Sequence, residues 1–129
     1  MRREGGESVN LAAVTTSLHV GTHADAPVHV ESAWAASEAL DAAAFVGPCE
    51  VVIVPSSHLV AHDLDVVHIA ALVGDAPAPR LLLRTGMSIA TGAFPDDWPC
   101  LTPAAAAWLV ARGVRLWGVD APSVDRRHS

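Results

Sequence analysis

TPAAAAWLVARGVRLWGVD, residues 102–120, decides the fold class. Thr102 offers a capping hydroxyl, Pro103 suits the first helical position, and Ala104–Arg112 carries Trp108 and Leu109 before Gly113 supplies a stop. Both ends of a helix are therefore marked. VRLWGVD, residues 114–120, follows at once and reads as a strand, and RLLLRT, residues 80–85, reads as a buried strand upstream. Strand, helix and strand make a βαβ unit, whose crossover is expected to be right-handed. The fold class is α/β or mixed α+β, α/β being the expectation, with this βαβ unit at its C-terminal end.

Further upstream, Gly47-Pro48 turns the chain into CEVVIV, residues 49–54, a β-branched run that suits a strand buried on both faces. Asp63–Leu72 predicts a short helix ending near Gly74, ahead of Pro77 and Pro79. Val9–Leu18 alternates loosely and predicts a strand. With no repeat or linker, residues 1–129 are expected to be a single domain.

Composition narrows the function. The chain has 129 residues, 51% hydrophobic and 17% charged, enough for one modest core. Its net charge is −6 and all eight basic residues are arginine, so no basic stripe exists to neutralise phosphates. Nucleic acid is excluded as an expected partner, and no segment approaches the roughly 20 apolar residues that span a bilayer. Cys49 and Cys100 stand alone without CxxC spacing, and the N-terminus lacks a signal-type apolar stretch. Two buried thiols in a reducing cytoplasm are expected.

SLHVGTHADAPVHV, residues 17–30, crowds three of the seven histidines beside one aspartate. His19, His23, Asp25 and His29 share parity, so an extended chain would aim all four at one face. Straight backbone would hold His19 and His23 about 13 Å apart, too far for one ion. The chain must bend, and Gly21 and Pro27 provide the means. A helical HExxH arrangement is ruled out by Gly21, Thr22 and Pro27 and by the missing glutamate. Histidine and aspartate suit Zn²⁺ or Mn²⁺, and two histidines with one carboxylate leave positions open for water and substrate.

HVGTHADAPVH, residues 19–29, resembles the pattern HxGTHxDAPxH of the cyclase family of metal-dependent hydrolases, which includes bacterial kynurenine formamidase (arylformamidase). LDAAAFVGPCEVV, RLLLRTG and GVRLWGVDAPSVD resemble further landmarks of that family in the same order. The resemblance covers nearly the whole chain. It implies a swivelling β/β/α-type domain with a mixed sheet, a homodimer, a small-molecule substrate, and a zinc or manganese centre that is often binuclear. The implied chemistry is hydrolysis of an aryl formamide, N-formyl-L-kynurenine giving L-kynurenine and formate in tryptophan degradation; a cyclic amide such as isatin is the alternative substrate. By motif position the resemblance assigns His19, His23 and Asp25 as metal ligands, with Asp25 bridging to a second ion, and His29 as the acid/base.

Two departures accompany the resemblance. The chain begins with MRREGGESVN where family members carry a further strand segment, and it reads Arg126-Arg127-His128-Ser129 where the family's remaining His and Glu ligands would follow. A domain apparently truncated at both ends is expected, its second metal site incomplete and His128 no substitute. A catalytically inert metal-binding fragment is thus the competing reading. His58, His62 and His68 read as structural, Trp98 and Trp108 as packing residues, Arg2-Arg3 and Arg126-Arg127 as solvated ends, and Asp120 as either a turn closure or a site residue.

Overall fold

The structure, a computed structural model, describes residues 11–58, 63–90 and 92–126. Arg2-Arg3, His62, Arg127 and His128, for which the sequence carries expectations, lie outside these residues. The chain divides into two compact units, Met1–Leu40 and Asp41–Ser129.

In the larger unit the expected strands and helices form in order. β1 is Glu50–Ile53, β2 Asp63–Leu64, α1 Val66–Val73, β3 Arg80–Arg84, β4 Cys100–Leu101, α2 Pro103–Ala111 and β5 Leu116–Val119. β1, β3 and β5 make one sheet in the order β1-β3-β5, while β2 and β4 pair separately, and every described pairing is parallel. Leu81 stands opposite Trp117 and Leu83 opposite Val119, so the predicted β3–α2–β5 unit is present with its strands adjacent.

Local chemistry sets the helix ends. The Thr102 hydroxyl accepts from the Ala105 amide at 3.2 Å, Pro103 occupies the first turn, and Gly113 takes φ +85°, a left-handed conformation that ends α2 cheaply. The helix expected over Asp63–Leu72 starts later. Asp65 caps α1 by accepting from the His68 amide at 3.1 Å, which frees Asp63 and Leu64 to pair with Cys100 and Leu101. Gly74 closes the helix at φ +67°.

The core fills one face of the three-stranded sheet. Val52, Val54, Leu81 and Leu83 pack with Ile69 of α1 and Ala105 and Leu109 of α2, and Val114 and Leu64 complete the cluster. The other face corrects the expectation of doubly buried strands. Val51 is 61% exposed, Ile53 66% and Leu82 44%, because both helices lie on the opposite side and β1 is an edge strand. A β-branched run shows the strand but not which of its faces is covered.

Arg80 is buried at the start of β3. Its guanidinium donates to the carbonyls of Ala43 and Ala44, fixing the 3₁₀ turn Ala42–Ala44 against the sheet. Gly47 has φ +136°, and an added Cβ there would meet the Arg80 guanidinium at 2.8 Å, so glycine is required by conformation and by space.

Three expectations for side chains need correction or completion. Cys100 is buried, its thiol pushed up by desolvation, but Cys49 is exposed beside the Gly47-Pro48 turn. Arg126 is not a solvated end: it reaches Asp63 at 2.6 Å and Asp97 at 3.2 Å. Trp98 is 2% exposed and donates its indole N–H to the Asp125 carbonyl at 2.9 Å, while Trp108 packs partly buried beneath the Arg112 guanidinium.

Asp120 closes the ends of β3 and β5. Its carboxylate accepts from the Thr85 amide at 2.8 Å, the Thr85 hydroxyl at 2.5 Å and the Gly86 amide at 2.8 Å. Partial burial pushes its pKa up, but these bonds outweigh that effect and hold it below the ordinary carboxylate value. The resulting stability is present above the unfolded-state pKa, about 3.9, and is lost as pH falls through the folded value. Asp120→Asn is expected to cost about 1–2 kcal/mol at pH 7, reduced from a fully buried value by solvent screening. Urea midpoints of the two proteins should converge toward pH 3, and a constant gap would contradict this role.

In Met1–Leu40 the described backbone forms two 3₁₀ turns, Pro27–His29 and Ser37–Ala39, and no strand. The strand expected over Val9–Leu18 is therefore not formed by residues 11–18; Val9 lies outside the described residues. Leu11, Val14 and Leu18 are 59%, 85% and 89% exposed, so alternation there buries no face that would hold a strand in register.

Candidate metal centre

The bend required by the histidine spacing is present. Gly21 adopts φ +66°, reversing the chain between His19 and His23, and Pro27 opens the 3₁₀ turn that carries His29. The Val28 amide donates to the Ala35 carbonyl at 3.0 Å, and the His29 amide to the Ala26 carbonyl at 2.9 Å, holding that turn. Extended parity predicted the shared side, and the glycine and proline convert it into proximity.

Four side chains converge. His19 Nδ1 lies 3.0 Å from Asp25 Oδ1 and 3.3 Å from His23 Nε2, which is itself 3.5 Å from Asp25 Oδ1. Ligand atoms on one tetrahedral ion with bonds of 2.0–2.1 Å lie roughly 3.4 Å apart. All three separations fit that spacing. The His29 ring sits 4.4 Å from the His19 ring, centre to centre, and His19, Asp25 and His29 each bring a ligand atom within 4.8 Å of the others. His29 thus stands within ligating distance as well as at the position the resemblance gives to an acid/base.

A backbone contact orients the set. His23 Nδ1 lies 2.9 Å from the Gly21 carbonyl, which makes that nitrogen the N–H donor and leaves the Nε2 lone pair facing His19 and Asp25. Metal-ligating histidines are commonly fixed by a bond of this kind. The sequence pattern could not show it, because a carbonyl carries no residue signature.

These side chains open into a cavity of about 330 Å³ whose other walls are Leu18, Ala24, Ala26, Val28, Ala36 and Ser37. Ala36 and Ser37 come from the turn after the histidine segment, and no spacing in the sequence announces them. Apolar walls with a few convergent polar groups are the usual form of a small-molecule site. No described helix is long and apolar enough to cross a membrane.

An α/β chain with this histidine–aspartate pocket belongs to the cyclase family, whose sequence model, described as "Putative cyclase", matches residues 6–126. Among curated proteins it is 38% identical over 118 residues to "Kynurenine formamidase" of Bordetella pertussis (strain Tohama I / ATCC BAA-589 / NCTC 13251), covering 91% of this chain and 54% of that one. "Kynurenine formamidase" of Bordetella avium (strain 197N) is 37% identical over 123 residues, with the same coverage. The chain spans about half the length of these relatives.

Proposed function

We propose that this chain carries the metal-binding part of an arylformamidase, hydrolysing N-formyl-L-kynurenine to L-kynurenine and formate. The observation that carries the proposal is the matched spacing of His19, His23 and Asp25 in a pocket whose relatives are named kynurenine formamidase.

His19, His23 and Asp25 would hold one Zn²⁺ or Mn²⁺. When bound, the ion supplies Lewis acidity toward a carbonyl oxygen and makes a water acidic enough to attack near neutral pH. His23 is held in the ligating tautomer by the Gly21 carbonyl, so ordering it on binding costs little. His29 receives the proton from the attacking water and returns it to the departing aryl amine nitrogen. Leu18, Val28 and the alanines at 24, 26 and 36 offer an apolar wall for the aryl ring, and the cavity volume suits a molecule of that size. A second copy of the chain and a cytoplasmic location belong to the same proposal.

The test measures formate and ring opening separately, using N-formylkynurenine and isatin with added Zn²⁺ or Mn²⁺. Formate release that falls about 10²–10⁴-fold in His29→Ala is expected. Ring opening of isatin alone would reassign the pocket to cyclic amides. Metal binding without turnover of either substrate would favour the inert fragment.

A further inference from the structure

Four polar side chains around the cavity already have a role in the proposed hydrolysis, His19, His23 and Asp25 toward the ion and His29 toward the proton. Ser37 has none. Among the described residues that line the cavity it is the remaining polar one, set among Leu18, Val28 and the alanines at 24, 26 and 36. We propose, resting on the arylformamidase reading, that the Ser37 hydroxyl selects aryl formamides with a carbonyl group ortho to the formamide nitrogen, by donating a hydrogen bond to that carbonyl oxygen.

Position supports it first. Ser37 opens the 3₁₀ turn Ser37–Ala39, in which the Ala39 amide donates to the Ala36 carbonyl at 3.0 Å and the Leu40 amide to the Ser37 carbonyl at 3.2 Å. The Val28 amide donates to the Ala35 carbonyl at 3.0 Å, which joins this segment to the turn carrying His29. Backbone bonds therefore set Ser37 and His29 on one cavity.

Availability is the second observation. The hydroxyls of Ser17, Ser88 and Ser123 each accept from the amide two residues further on, at 3.2 Å, whereas the Ser37 hydroxyl has no hydrogen-bond partner among the described residues. It is free to donate to a ligand.

The third is the chemistry of the proposed substrate. N-formylkynurenine carries a ketone ortho to its formamide nitrogen, and a carbonyl oxygen has two lone pairs, of which the molecule's own N–H can occupy one. The other needs a donor. A ring laid on the apolar wall takes that oxygen out of water, and a hydroxyl on the same wall offsets the loss. A formamide of plain benzene gives Ser37 nothing to hold.

The experiment uses the full chain with Zn²⁺ and two amines that hydrolysis cannot consume: ortho-aminoacetophenone, which has the ketone, and ortho-ethylaniline, of nearly the same shape without the oxygen. Binding is followed by NMR through the amides of Ala36 and Ser37. The ketone is expected to bind roughly 5–10-fold more tightly, as one net hydrogen bond allows. Ser37→Ala should erase that preference by weakening the ketone alone, whereas a merely structural serine would weaken both amines. Ser37→Thr, which keeps the hydroxyl, should retain it. Equal affinities in the unmodified chain, no binding of either amine, or a preference that survives Ser37→Ala would overturn the proposal. Formate release from N-formylkynurenine is read separately. Turnover without the ketone preference strikes the role of Ser37 and leaves the arylformamidase reading, while the preference without turnover does the reverse.

Discussion

Replacing His23 by alanine is expected to lower zinc affinity by more than about 100-fold, a larger loss than removal of an outer-shell partner usually causes. His23 Nε2 supplies one corner of the triangle with His19 Nδ1 and Asp25 Oδ1, at 3.3 and 3.5 Å, and no backbone group can take its place. Two ligands would remain, and the ion would have to recruit His29, whose ring already leans on His19. That recruitment would also remove the proposed proton carrier. Formate release should therefore fall together with metal retention. Metal content after gel filtration, read beside turnover at saturating Zn²⁺, checks both. Zinc retained unchanged by His23→Ala would move the centre elsewhere.

Leu109→Ala is expected to destabilise the larger unit by about 3 kcal/mol, from a total that for ordinary domains is about 5–15 kcal/mol. Leu109 is fully buried on α2 within the cluster that includes Ile69, Leu81 and Leu83, and its carbonyl accepts from the Val114 amide as the chain turns toward β5. Alanine retains that carbonyl and favours the helix, so the loss isolates packing. Val110→Ala on the adjacent position, 61% exposed, should change stability by no more than about 0.5 kcal/mol. Urea midpoints of the two variants decide the matter. Equal midpoints would mean that α2 does not pack as described.

α2 was legible because its boundaries are written in single residues: Thr102, Pro103 and Gly113 each do one thing that few other residues do there. β1 and β3 were legible as strands, yet the bare face carrying Val51, Ile53 and Leu82 was not, since an apolar side chain looks the same whether or not a layer covers it. The pair of two-residue strands, Asp63–Leu64 with Cys100–Leu101, is too short to show any period, and it displaced the start of α1. In the pocket, parity put the four polar side chains on one side, and Gly21 and Pro27 announced a bend. What the letters could not give was its closeness, because the 3.0–3.5 Å contacts depend on a positive φ and a 3₁₀ turn acting together. Asp120, left open between two roles, proves to be the tie between the ends of β3 and β5.

The four converging side chains come from eleven consecutive residues, 19 to 29. An ion seated among them closes only tiny chain loops, and the entropy of closing a loop grows slowly with its length. If the proposed ion binds, the unfolded polypeptide retains some chelating power through this short segment, less the contribution of the folded turn that pre-sets the donors. Ligand-induced stabilisation depends on the difference between the two states' affinities, and it shrinks when the denatured chain binds as well. For the proposed zinc site, tight binding and a modest gain in melting temperature are thus compatible, and a small thermal response would be no measure of affinity.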